Sequence, residues 1–246
     1  MGRQTTIISI LLLTGFSRPG TAAPLEEALQ PLLGTPYRDD GARNRQGHWV
    51  TFRAPQKVLS GPGLNCSGFL VEVARRTGRT VSLQQATADR ENNSGPGAAL
   101  GEDWDFGRDL ILNLAGQVRA VLHPKGRLPG WPAGHPATAR GFNMHDAAAW
   151  QKVLPQIRQD RIYFASISKP WHRKKGYRLL HYHVAALLRD HRGEVWFYHT
   201  TRLNDTHRMN LSHPRGLTRL LYQFRKSRWG DRYILIVEAD RGAAAP

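Results

Sequence analysis

The chain has one cysteine, Cys66, among 246 residues, so no internal disulfide can form. Acidic residues are scarce: 19 Asp and Glu stand against 35 Lys and Arg, a formal charge of +16 at pH 7. Past the first residues no apolar run approaches the roughly 20 residues that a membrane span needs. There is no HExxH-type pattern, no second cysteine to share a zinc ion and no internal repeat. These absences exclude a disulfide scaffold, a bundle of membrane helices and a solenoid, and they make zinc the weaker use for any histidine cluster. The basic excess is uneven, because residues 150 to 246 hold 19 basic and 7 acidic residues. Nucleic acid, an anionic membrane surface and acidic cell-wall polymers would all be drawn to such a chain, since charge concentrates partners without naming them.

What is present begins with an address. Arg3, an apolar run from Ile7 to Leu13 that reaches Phe16, and the small residues Thr21, Ala22 and Ala23 follow the order of a cleaved signal peptide over residues 1–23. The run is too short for a membrane anchor and is followed by Ser17, Arg18 and Pro19. The reading is an exported protein, periplasmic or secreted, with residues 24–240 as one domain and 241–246 as a disordered tail. With 40% hydrophobic residues the chain can bury one sizeable core. Export argues against nucleic acid as the partner, and no motif of interleaved basic and aromatic residues speaks for it.

Export also makes the lone thiol odd, because cysteines in oxidising compartments usually pair. Such a thiol is either buried and inert or kept for its reactivity. In "GPGLNCSGFLVEVARRTG", residues 61–78, the positions Cys66, Phe69, Leu70 and Val73 share one helical face, and Gly78 marks a stop. Cys66 would open that helix, where unpaired N–H groups and the dipole favour a thiolate and can hold an oxyanion. Gly61, Gly63 and Gly68 keep bulk away from the sulfur.

A nucleophilic thiol needs a base, and the base needs an orienting group. The stretch "HYHVAALLRDHRGEVWFYHTTRL" reads as two strands, about 182–189 and 194–201, turning at Asp190 and Gly193. A three-residue loop sets His183 directly opposite His199; a five-residue loop makes them diagonal neighbours; a two-residue loop breaks the register. Of the other histidines, His181, His191, His207 and His213 read as loop residues in solvent, and His123, His135, His145 and His172 lie in polar or Pro/Gly-rich surroundings.

Five blocks in order, "LGTPYRDDGA" at 33–42, "LNCSGFLVEVARRTG" at 64–78, "RQDRIYFASIS" at 158–168, "HVAALL" at 183–188 and "VWFYHT" at 195–200, resemble the NlpC-like family of papain-related cell-wall cysteine peptidases. The resemblance covers residues 32–78 and 155–201, and its most specific element is the Cys-Ser-Gly block. It implies an α+β, papain-like fold in which the cysteine-bearing helix packs on an antiparallel sheet. It also implies a Cys66 nucleophile, a His183 general base and His199 as the third, orienting residue. Tyr37 matches the family tyrosine that lines the substrate cleft, and Ser67 the cleft residue after the nucleophile. Asn65 stands where the family usually has Asp, which alters recognition of a substrate's free amine. The implied reaction is hydrolysis of amide bonds in peptidoglycan stem peptides through an acyl-enzyme, with no cofactor or metal. Stem peptides and anionic cell-wall polymers are the implied partners.

The segment between the two resembling regions, about 80–150, is longer than the family's. "RDLILNLAGQVRAVLH" has helical spacing through Leu110, Leu114 and Val118, and "HDAAAWQKVLPQIRQ" reads as a second helix ending near Pro155. The expectation is an inserted helical and loop segment packing a flank, or else a subsite wall presenting Trp104 or Trp131. "GLTRLLYQFRKSRWG" reads as a basic amphipathic helix and "RYILIVEA" as a closing strand. Two other functions fit the same residues. An acyltransferase or lipid-processing relative on the same fold would need a cleft for acyl chains. A non-catalytic cell-wall binding protein would hold Cys66 buried or far from His183.

Overall fold

From Ile162 to Asn210 the chain alternates residues between two apolar environments, the pattern of strands buried on both faces. In the computed structural model, which describes residues 24–90, 105–129, 141–173, 176–226 and 230–240, this stretch forms four successive antiparallel strands. They are β6 (Ile162–Arg173), β7 (Gly176–Arg189), β8 (Val195–Thr201) and β9 (Asp205–Asn210). Before them come α1 (Leu25–Leu29), β1 (Gly41–Arg43), β2 (Trp49–Thr51), α2 (Cys66–Arg76), α3 (Leu83–Ala86) and α4 (Phe106–Ala115). Then follow β3 (Ala120–His123), β4 (Gly126–Pro129), β5 (Phe142–Asn143) and α5 (Ala147–Val153); α6 (Pro214–Gln223) and β10 (Tyr233–Glu238) come last.

The fold is α+β, built on an eight-stranded antiparallel sheet in the order β4-β3-β10-β6-β7-β8-β9, with the short β5 beside β10. Helices cover both faces. Val184, Ala186 and Leu188 join Phe69, Leu70 and Val73 of α2 and Leu110, Ile111 and Leu114 of α4 in one cluster. Ala185 and Leu187 join Trp150 and Val153 of α5 and Leu220 of α6 in the other. Each fully buried Leu or Phe contributes about 1.5–3 kcal/mol relative to leaving it in water. Among the described residues no helix is long and apolar enough to cross a membrane.

The alternation breaks once. Ile167 pairs with His183 but Ser168 pairs with His181, so Tyr182 is an extra residue, a β-bulge. Across it the strand changes phase: Tyr182 packs toward the α5–α6 cluster, whereas His181 reaches Ser166 on the other side of the sheet.

The segment 80–150 departs from the expectation of a flank. The helix stops at Ala115, because Gly116 takes φ +67°. Arg119 N then donates to Glu238 O at 3.0 Å, and Ala120–Glu238 through Leu122–Ile236 pair as strands. The inserted segment thus supplies β3, β4 and β5 to the main sheet and α4 to the layer beside α2. Leu122 and Val121 alternate between the two clusters, which is strand patterning that a short helical reading through Val118 overlooks. The second helix is α5, continued by a 3-10 turn over Leu154–Gln156 that includes Pro155. The signal segment 1–23, Trp104, Trp131 and the tail 241–246 lie outside the described residues.

Candidate active site

α2 begins at Cys66 because Asn65 is extended (φ −89°, ψ −178°) and its side-chain oxygen accepts from Gly68 N at 2.7 Å, a helix N-cap. Asn65 N donates to Gly41 O at 3.0 Å, tying the cap to β1. A Cβ on Gly68 would collide with the same Gly41 carbonyl, so the helix start lies against bare backbone. Farther along, buried Glu72 pairs with Arg75 at 2.8 Å and with Arg43 of β1 at 3.2 Å. Cys66 is half-buried and Ser67 buried. The Val184 N–H, the Ser67 hydroxyl and the N–H groups of Ser67 and Cys66 all favour the thiolate, yet burial outweighs them and pushes the thiol up. The helix start alone points to a lowered thiol; the structure corrects that expectation, because the sulfur loses more from leaving water than the N–H groups return.

His183 and His199 come together as diagonal neighbours, the outcome of a five-residue loop over 190–194 with Arg189 opposite Val195. His183 Nε2 is 3.0 Å from His199 Nδ1, with the rings perpendicular at 90°. Phe224, just past α6, covers His183 at 4.8 Å between ring centroids, and Phe197 flanks His199 at 5.0 Å. Burial pushes His183 down to about 3, helped by His207. It also drives His199 well below the usual imidazole value, followed by repulsion from His183, His207 and Arg219. Both imidazoles are therefore neutral at pH 7.

The two rings lie on the α5–α6 face of the sheet with Phe224 and Phe197, while Cys66 packs on the α2–α4 face and meets β7 at backbone level. Its N–H partner Val184 is the residue after His183, while no hydrogen bond runs from Cys66 to either imidazole. Tyr37 shares the rim: it bridges Leu64, and burial first, then Asp39 and lastly Cys66 push its hydroxyl up, against the pull of Arg202. Its N–H donates to Asp205 Oδ1 and its hydroxyl to Asp39 Oδ1, both at 2.8 Å, and Arg202 pairs with Asp39 at 2.7 Å. Asn65 spends its oxygen on the cap, which leaves its amide N–H groups as the side chain's remaining polar contacts.

Two histidines depart from the sequence reading. His207 is on β9, directly opposite His199, with its Nε2 2.9 Å from His199 Nε2. His181 is on β7 and only 2% exposed. Neither is a solvated loop residue, because β7 starts six residues earlier than its apolar run and β9 follows a tight turn at Arg202–Asn204. The turn residues Asn204 and Asp205 after "VWFYHTT" are the signal that could have placed His207. Among the described residues no group of three or more His, Cys, Asp or Glu side chains could hold a metal ion. No family model, curated protein or solved structure matches this chain.

Proposed function

We propose that the chain is an exported cysteine amidase or peptidase of the NlpC-like, papain-related type, acting on peptidoglycan stem peptides. The observation that carries the reading is the placement of a lone thiol, at the first residue of α2, beside the backbone N–H that follows His183, whose imidazole is tied to a second buried histidine. Both partners rest neutral and on opposite sides of β7, so for the reaction the sulfur and the His183 ring must meet, and His183 then takes the thiol proton as the sulfur attacks the scissile carbonyl. The Cys66 N–H at the helix start faces the developing oxyanion. The tetrahedral intermediate collapses as the imidazolium of His183 gives its proton to the leaving amine. His183 then activates water to release the acyl group, and His199 holds the ring in register throughout. The basic surface suits the carboxylates of muropeptides.

The test is to incubate the purified protein with muropeptides and identify products by mass. Cleavage of one stem-peptide amide, absent with Cys66→Ala, supports the reading; intact muropeptides, or cleavage that persists in Cys66→Ala, defeats it.

A further inference from the structure

His207 stands beyond the three residues assigned above, but its hydrogen bonds determine theirs. Its Nδ1 lies 3.1 Å from the Asp205 carbonyl oxygen, which can only accept, so His207 carries its hydrogen on Nδ1. A neutral imidazole has one N–H; His207 Nε2 is therefore bare and accepts from His199 Nε2–H across 2.9 Å. That leaves His199 Nδ1 bare, and it accepts from His183 Nε2–H across 3.0 Å. His183 is then bare at Nδ1, the ring nitrogen that makes no hydrogen bond with the described residues.

We infer that His207 is a positioning residue: through His199 it holds His183 in the tautomer whose Nδ1 lone pair is free. The role of that lone pair as a base rests on the amidase reading; the tautomer chain does not. One backbone carbonyl on β9 sets the direction of both bonds. Neutrality is essential, and burial supplies it for all three rings. Around His207, Arg219 of α6 further disfavours a proton, while Asp205 and the carbonyls of Asp205 and Asn204 favour one. Asp205 is itself engaged by the Tyr37 N–H. A proton on His207 would reverse every bond: Nε2–H would donate to His199, His199 Nδ1–H to His183 Nε2, and the hydrogen of His183 would move to Nδ1. Acid thus removes the base without charging His183.

The test is nitrogen-15 NMR of the imidazole rings in the wild type, His207→Phe and His207→Gln, from neutral to acid pH. The wild type at neutral pH should show hydrogen on Nδ1 of His207 and on Nε2 of His199 and His183. His207→Phe removes the acceptor, so the tautomer ratio of His183 should fall about tenfold and kcat on muropeptides with it, KM staying the same. His207→Gln keeps an acceptor and cannot titrate, so it should hold the His183 tautomer at acid pH where the wild type loses it. Hydrogen on Nδ1 of His183 in the neutral wild type, or an unchanged ratio in folded His207→Phe, overturns the inference. If His207→Phe does not fold, the wild-type tautomer and the acid contrast with His207→Gln decide it. Predicted tautomers without muropeptide cleavage would defeat the amidase reading and leave this one standing.

Discussion

Two histidines on β7, two residues apart, share burial and share a depressed basicity, each pushed down to about 3. Their surroundings differ. His181 faces α4, where its Nδ1 meets Ser166 Oγ at 3.0 Å, its Nε2 is buried with no hydrogen-bond partner among the described residues, and burial and then Arg108 disfavour a proton. His183 faces α6, with one nitrogen passed on to His199 and His207 and its neighbour Val184 touching the thiol. Burial alone therefore does not make a base. What separates the two is a tautomer fixed from outside: His207, through His199, holds the hydrogen of His183 on Nε2, whereas His181 has only Ser166 for a partner.

The sharpest way to break this comparison is to exchange the losses. His183→Ala should lower kcat/KM on muropeptides by about 10³-fold or more, whereas His181→Gln should leave turnover per folded molecule within about twofold, with stability changed by about 0.5–3 kcal/mol. Comparable losses in turnover would erase the distinction.

Stability against acid should treat the two alike. Both imidazoles take protons near the usual 6.5 in the unfolded chain but only near 3 in the folded one. Between those values the unfolded state binds more protons, so stability is complete above about pH 6.5 and falls as pH drops toward 3, by several kcal/mol per group on the order-of-magnitude scale of 1.4 kcal/mol per pH unit. Denaturant midpoints measured across that range should fall less steeply in His181→Gln, by about one proton's worth of slope; identical slopes would show that His181 is not neutral and buried.

A smaller effect belongs to the orienting position. His199→Ala should reduce kcat about 10–100-fold, and His199→Asn less, because an amide can still hold the ring. Full activity in His199→Ala would leave only the strand geometry to position His183. The smallest effect concerns Asn65. Asn65→Asp keeps the cap on Gly68 N and adds a carboxylate beside the thiol. The ratio of kcat/KM for a free over an N-acylated stem peptide should rise several-fold, since a charged hydrogen bond is worth about 1.5–3 kcal/mol. A strong free-amine preference already in the unmodified protein would shift that role to another carboxylate, Asp39 or Asp40.

The α2 start and the His183–His199 hairpin were legible because helical and strand periodicities survive in short windows, and because Asp190 and Gly193 punctuate the turn. The bulge at Tyr182 was not, since an extra residue leaves no composition signal and silently reassigns His181 to the opposite face. β9 was hidden by its polar side chains: Thr206 and His207 are satisfied by Thr200 and His199 across the strand, so the segment needs no apolar run to be a strand. The segment 80–150 was misjudged for a similar reason, as Ala120–His123 has only four residues in which to show alternation.

The contact between Gly68 and Gly41 has a mechanical consequence. With two backbones in direct contact, Asn65 N held by Gly41 O, and Glu72 clamped to Arg43, α2 and β1 move as one body. On the amidase reading the sulfur would have no slack with which to follow a poorly seated carbonyl, and selectivity among amide bonds would fall to whatever seats the substrate. Tolerance for a new substrate would have to arise on the Tyr37 and Arg202 rim, where the contacts are side chains in water and can shift without unlocking the helix.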